Sequence, residues 1–465
     1  MHYNKKRLPK STATEGSILK SLFSVSFPII LANILQTMYQ LIDTFWLGRL
    51  GANAVAAVSI SFPILFLVLS LGGGLTLAGT VIVAQYKGAA RQDQVNYSSS
   101  QAVIVICLLS VLLSIFSYFM AEPLMKIIGT GSEIMDDAVA YFRISSLGFV
   151  FLFMFFVFQS LMRGIGNVLL PMYIVIGTVF LNLVLDPLFI FGFGPIPPSG
   201  VAGAAVASVI TQGISAAVGI WILFKGERGI KISWNEMRLN WDWIKRLFRL
   251  GLPASMEQSA RAAAMTMMVI IVASFGSEIV AAYGVGTRML SLIVVPALGL
   301  SIGTTTLVGQ NIGAGQIKRA EKVANLSNKI AFYGLTLVGL IMFLIAEPLT
   351  TLFIPNDPQV IKDGTLFIKI MAPAFGLMGV QQVLNGTFNG AGFTKASMLI
   401  SILGLWIIRF PLAYILSYNT SLEHIGIWMA FPISNLVAAI VAFTYYKLGH
   451  WKKRVIMYRH DRTVH

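Results

Sequence analysis

Apolar runs long enough to cross a bilayer, about 20 residues each, recur along the whole of this 465-residue chain. No other feature limits the fold as much. Within lipid, a helix closes all its backbone hydrogen bonds inside one segment. A β-barrel would show segments of about ten residues alternating apolar and polar instead. Twelve spans can be placed, at 18–45, 54–84, 95–120, 134–160, 168–191, 200–224, 243–272, 280–309, 323–345, 360–384, 396–417 and 425–447. Only 11% of residues are charged and 56% are hydrophobic, whereas about a quarter of a soluble domain is charged. The expected fold is therefore an all-α polytopic membrane protein with twelve transmembrane helices. Pro28, Pro63, Pro253 and Pro296 mark expected bends, with Pro28 the candidate hinge of the first span.

The net charge of +15 could suggest nucleic acid. Its distribution points to membrane orientation instead. Lys5/Lys6/Arg7/Lys10, Lys87/Arg91, Lys225/Arg228/Lys231, Lys245/Arg246/Arg249, Lys318/Arg319/Lys322 and Lys452/Lys453/Arg454 all lie at a terminus or an even-numbered loop. The odd loops carry Glu133/Asp136/Asp137, Asp357/Asp363 and Glu423. Lysine and arginine concentrate on the cytoplasmic side, so both termini are expected in the cytoplasm of a multi-pass cell-membrane protein. The basic N-terminal tail runs into a full-length span, not a short apolar segment, and no cleaved signal peptide is expected.

The chain also repeats itself. Pro28, Gly51, Ala56-Ala57, Gln85 and Gly88-Ala89 return 225 positions later as Pro253, Gly276, Ala281-Ala282, Gln310 and Gly313-Ala314. Ala121-Glu122-Pro123-Leu124 returns as Ala346-Glu347-Pro348-Leu349; further on, with one inserted residue, Arg143, Gly164 and Gly200 answer to Lys369, Gly390 and Gly426. An even number of spans per half makes this a parallel repeat, of the kind that builds transporters around a cavity between the halves. The expected organisation is a tail at 1–17, an N-lobe at 18–224, a basic linker at 225–242, a C-lobe at 243–447 and a basic tail at 448–465, with two pseudo-symmetric six-helix lobes around a central cavity.

Polar groups inside the spans carry the functional reading. Gln36, Tyr39 and Asp43 share one stripe of the first helix at helical spacing. A carboxylate in lipid is costly and marks a functional position when it faces a cavity. Asp186 lies in span five, one turn after Asn182, and the following Pro187 frees a backbone carbonyl. Both aspartates fall in the outer half of the bilayer, so one holds a proton unless a cation sits between them. The alternative is that each only caps the outer end of its helix in water. In the second half, Glu257 and Arg261 stand four residues apart, with Arg288 and Arg409 in later spans. They read either as a self-neutralising buried pair or as a substrate or gating element. Arg143 and Lys369 read as scaffold or snorkelling residues. The 20 methionines, Met172 among them, serve as core filler or as the flexible lining of a promiscuous cavity. The run Gly72-Gly73-Gly74 allows either flexing or close helix packing.

No Walker lysine loop, HExxH or nucleophile elbow occurs. Cys107 is the single cysteine and the five histidines are scattered in tails and loop edges, so no metal site and no enzyme is expected. Without an ATP site, pumping must draw on an ion gradient.

FPxxxxxxxQxxYxxxDTFWLGRLG in the first span, QYKGA after the second, RGxGN after the fourth, LNLVLDPLFIFGFG and GIWMAFPISN resemble the MATE family of multidrug and toxic compound extrusion transporters, over nearly the whole chain. The paired aspartates point to its prokaryotic DinF-like branch. The resemblance implies an antiporter, a monomer without cofactors, exporting organic cations and amphipathic drugs against H⁺ or Na⁺ by alternating access. It places the coupling ion at Asp43 and Asp186 with Tyr39 and Asn182, and substrate beside Gln36, Tyr39, Met172 and Asn182. The NorM-like branch uses second-lobe acids, but here span ten has none and Glu257 sits one turn after Pro253. Gly203, Ala204 and Ala205 occupy the bend of span six, leaving Ser199, Ser208 or Thr211 as a further hydroxyl ligand. A lipid or oligosaccharide flippase of the same superfamily is the alternative, carried by Arg261, Arg288 and Arg409. A channel conflicts with the two-lobe repeat.

Overall fold

The computed structural model describes residues 13–452 except Ile196 and Asn356. The basic cluster at Lys5 to Lys10 and the tail beyond Lys452 lie outside the described residues. The helices are α1 (Ile18–Gly48), α2 (Ala52–Gly88), α3 (Gln92–Ile128), α4 (Met135–Gly164), α5 (Leu169–Phe191), α6 (Gly200–Lys225), α7 (Trp241–Ala273), α8 (Ser277–Gly313), α9 (Ile317–Leu344), α10 (Ala346–Phe353), α11 (Pro358–Met371), α12 (Phe375–Gly390), α13 (Thr394–Ile402), α14 (Phe410–Tyr418) and α15 (His424–Leu448). Two joins, with the eight-residue α10 too short to cross a bilayer, leave the expected twelve. A 3₁₀ turn at Ala372–Ala374, around Pro373, links α11 to α12. A π-helical stretch, Leu403–Arg409, links α13 to α14. Its cause is Pro411, which cannot donate to Ile407; the Phe410 N–H reaches back five residues to Leu405 instead.

Eleven of the described helical segments are long and apolar enough to cross a membrane; α7 is not among them. Glu257, Gln258 and Arg261 lie in its middle, where they depress its hydropathy. The protein is an all-α polytopic membrane protein.

By contact the chain divides into two compact units. The N-unit is Leu31–Val83 with Gln92–Ser259; the C-unit is Met1–Ile30, Ala84–Arg91 and Ala260–His465. The cuts in α1 and α7 fall just after Pro28 and Pro253. Thus the start of α1 packs in the C-unit and the start of α7 in the N-unit, and glycines make both crossings possible. In the N-unit, a Cβ on Gly74 would lie 2.1 Å from the Ser255 nitrogen. In the C-unit, a Cβ on Gly299 would lie 2.3 Å from Ile30 Cγ1. Gly74/Gly299 and Ile30/Ser255 are 225-residue repeats of one another, so one crossing is built twice. The run at Gly72–Gly74 therefore serves close packing.

A third crossing lies within the C-unit. A Cβ on Gly88 would stand 1.8 Å from the Gln310 carbonyl oxygen, and one on Gly313 would stand 2.0 Å from that of Gln85. Gln85 and Gln310, like Gly88 and Gly313, are repeat partners. The ends of α2 and α8 thus meet through equivalent residues of the repeat.

Each unit has its own core. In the C-unit, Trp428 is fully buried, stacked on Tyr283 with ring centroids 6.0 Å apart and edge-on to Phe367 at 4.6 Å. Such pairs add to the burial of the rings themselves. In the N-unit, Leu47, Ala54, Val58, Tyr141, Ile190, Val201, Ala204 and Ala205 form one cluster joining α1, α2, α4, α5 and α6.

Candidate functional site

The N-unit brings Tyr39, Asp43, Asn182 and Asp186 into one neighbourhood. Tyr39 and Asp43 are one turn apart on α1, as Asn182 and Asp186 are on α5. The Asn182 amide donates to Asp186 Oδ1 at 2.6 Å. The Tyr39 hydroxyl donates to Ser208 Oγ at 2.9 Å and lies 3.1 Å from Thr211 Oγ1. Asp43 and Asp186 are near enough to interact electrostatically, and Tyr39 senses both charges.

The chain arranges this by close helix approach. A Cβ on Gly203 would lie 2.2 Å from the Phe189 carbonyl oxygen, so only glycine lets α6 pack this tightly on α5. That contact sets Ser208 and Thr211, one and two turns further on, in reach of Tyr39. Glycine at the bend removes a hydroxyl and the same bend positions two others.

The electrostatics are those of a site short of positive charge. Asp186 and Asn182 are fully buried. Asp43 Oδ1, Asp186 Oδ2 and Asn182 Oδ1 are all shielded from solvent and accept no hydrogen bond. Buried acceptors left bare cost about 1–3 kcal/mol each, and more when charged. A proton or cation relieves that cost. Tyr141 of α4, buried in the same cluster, interacts electrostatically with Asp43, Tyr39 and Asp186. It was not singled out from the sequence, where its only signal was a phenol two residues before Arg143.

Two candidate positions fall elsewhere. Met172 is buried near the start of α5, about 15 Å along the axis from Asn182 at 1.5 Å per residue. It packs in that end of the bundle and is not at the carboxylates. Gln36 is half-buried, about 10 Å along α1 from Asp43, and makes no side-chain hydrogen bond among the described residues. Pro28 lies within a continuous α1. Arg143 stands 3.9 Å from Glu122 and over the Tyr118 ring, and Lys369 stands over Phe343; both are structural contacts.

The C-unit holds a cavity of about 510 Å³ lined from α7, α8, α12, α13, the π-helical stretch and α15. Arg261 reaches into it and donates to Gln382 Oε1 at 3.2 Å. Arg409 also lines it, whereas Arg288 is exposed on α8 and does not. Glu257 is buried but is not part of the lining. Among the described residues, no group of three or more His, Cys, Asp or Glu could hold a metal ion.

A parallel repeat of six-helix halves with buried carboxylates inside its spans is the architecture of a membrane transporter. The family model MatE matches residues 28–188 and 253–415, and the chain belongs to that family. The probable multidrug resistance protein YpnP of Bacillus subtilis is 30% identical over 443 residues, covering 94% of this chain and 97% of that protein. The probable multidrug resistance protein NorM of Thermotoga maritima is 27% identical over 456 residues, covering 98% and 97%. Among solved structures, a crystal structure of MATE in complex with MaD3S superimposes with a TM-score of 0.89 at 26% identity, covering 96% of this chain and 98% of that one.

Proposed function

We propose that the protein is a secondary multidrug exporter, exchanging organic cations and amphipathic drugs for a coupling ion carried by Asp43 and Asp186. One observation supports this above the others: three bare, buried acceptors on two carboxylates and an amide. Cation occupancy and ion occupancy of such a site exclude each other, which is the coupling that exchange requires. We favour the proton. Two carboxylate oxygens share one proton without further ligands, while Ser208 and Thr211, the hydroxyls a sodium ion would need, are already engaged by Tyr39. Protonation removes the charge that holds a cationic drug, and Pro28, which leaves one backbone hydrogen bond of the continuous α1 unmade, lets the helix change its bend as the drug leaves. The relatives described above are named for multidrug resistance, which favours export of drugs over the flippase reading. Both termini face the cytoplasm in this proposal. A cysteine at Ser132 in a Cys107-free chain should then react with an impermeant maleimide from outside intact cells, and one at Gln316 should not. The reverse pattern would overturn the orientation.

The test of coupling is release of protons from the purified, reconstituted protein on addition of a lipophilic cationic dye, with and without sodium. Release independent of sodium is expected. Dye binding with no proton release, or release only of sodium, would overturn proton coupling.

A further inference from the structure

The C-unit cavity of about 510 Å³ shares no lining residue with the carboxylate site. Its lining holds two guanidinium groups, Arg261 and Arg409, and no Asp or Glu. A guanidinium stays charged at any pH a cell sees. Such a charge taken out of water needs a partner anion.

Of the two, Arg409 is the one whose surroundings supply no anion. Its Nε donates to Ser434 Oγ at 2.9 Å, and Nη2 donates to Asn435 Oδ1 at 2.7 Å. Its charge lies 4.5 Å from the centre of the Phe431 ring. These three partners fix the plane of the guanidinium, and all are neutral. No carboxylate among the described residues pairs with it. Two of the five N–H groups of an arginine are thereby used and three are left to the cavity. The side chain starts from the last residue of the π-helical stretch, a widened turn of the kind that often marks functional positions. Its repeat equivalent in the first half is Leu183, so the fold itself does not require an arginine there.

The remaining wall is apolar and deformable. Met265, Met268 and Met378 line it with Ile293 and the rings of Tyr283 and Phe431. Thioethers and rings adapt to varied apolar bodies, and a cavity of about 510 Å³ is in the range that takes a small-molecule ligand.

We propose that this cavity is an anion site: it binds the carboxylate or phosphate of an amphipathic molecule through Arg409 and Arg261, with the apolar body against the methionines and rings. Its chemistry is opposite to that of the cation-binding carboxylates, and it does not depend on their role in coupling.

The test uses three probes with the same ring: pyrenebutyrate, pyrenebutanol and pyrenemethylamine. Binding to the purified full chain in phosphatidylcholine nanodiscs is read by fluorescence anisotropy. Pyrenebutyrate should bind at least about tenfold more tightly than pyrenebutanol, the effect expected for charge-assisted hydrogen bonds in a buried site. Arg409→Gln should abolish that ratio without weakening pyrenebutanol, and Arg409→Lys should keep most of it. Equal affinity of the parental protein for the anion and the alcohol would overturn the proposal, as would preference for the amine, whether or not any variant folds. Equal weakening of both probes in folded Arg409→Gln would also overturn it. Adding phosphatidylglycerol to the nanodiscs separates two sources of the anion. Loss of apparent pyrenebutyrate affinity assigns the site to a lipid headgroup, and unchanged affinity assigns it to a soluble amphipathic anion. Either result requires the anion preference that the alcohol control measures.

Discussion

The two halves of this transporter share a repeat and set different polar groups at its equivalent positions. With the 225-residue offset, Asp43 answers to Met268, Tyr39 to Ala264 and Gln36 to Arg261. Beyond the inserted residue, Asp186 answers to Leu412, Tyr141 to Phe367 and Ser208 to Ser434. Met268, Ala264 and Arg261 all line the C-unit cavity. Ser208 accepts from Tyr39 in one half, and Ser434 accepts from Arg409 in the other. One backbone thus presents carboxylates and phenols in the first half, and guanidiniums, methionines and aromatic rings in the second. The scaffold decides where a polar group sits in the membrane; a few side chains decide what it holds.

The comparison breaks first, and most severely, at the carboxylates. Asp43→Asn keeps the size and a hydrogen-bonding head but cannot carry the ion. Proton-driven dye efflux should fall to background while the protein inserts and purifies normally. Asp186→Asn should do much the same. If the two act as one unit, the double variant should be scarcely worse than either single one, since residues of one network are not additive. Parental efflux by Asp43→Asn with its proton dependence intact would show that the ion chemistry is elsewhere.

A smaller effect tests the shared scaffold. At Gly88 an added methyl meets the Gln310 carbonyl at 1.8 Å, and backbone cannot step aside as a side-chain tip can. Gly88→Ala should lower stability by about 1–3 kcal/mol, the usual range for overpacking. Gly313→Ala should cost a similar amount, because its methyl meets Gln85 in the equivalent contact. Gly177→Ala in α5 has nothing within 4 Å and should be tolerated. Thermal unfolding in detergent, followed by size-exclusion, measures all three. If Gly88→Ala melted with the parent, the crossing of α2 and α8 would be looser than described.

Much of this was legible in the residues. Span lengths and the 225-residue offset are one-dimensional facts, and Asp43 and Asp186 stand out because charge in a span has no cheap explanation. Their neighbours Tyr39 and Asn182 followed from helical spacing alone. Three things were not legible. The start of α1 packs in the C-unit and that of α7 in the N-unit through contacts between residues over 170 apart, such as Gly74 with Ser255, and no local pattern encodes them. Tyr141 lies within electrostatic reach of the carboxylates on a ring that counts as apolar in any span. Met172 was ambiguous because a thioether looks the same in a packed core as on a cavity wall; only the fold says which wall a helix turns inward. Arg261, Arg288 and Arg409 were visible as charges, but which of them share a cavity depends on six segments meeting, one of them distorted by Pro411.

The smallest expected effect lies where the sequence offered two readings. Glu257 and Arg261 stand one turn apart on α7, the one long helix too polar to pass as a span by hydropathy. Replacing a buried acid and base together leaves no uncompensated charge, and such exchanges are often neutral or stabilising. Glu257→Gln with Arg261→Met should therefore keep cationic-dye efflux within about threefold of the parent at matched expression, an effect of well under 1 kcal/mol on the transport barrier. Arg261→Met alone strands the glutamate and should do more damage to stability than the pair, by the cost of an unpartnered buried charge. The double variant separates the halves by function: if cations are handled at Asp43 and Asp186, the C-unit cavity loses one guanidinium without cationic transport noticing. A loss as large as that of Asp43→Asn would mean that α7 takes part in the cation cycle, and the division between a cation-handling half and an anion-holding half would fail.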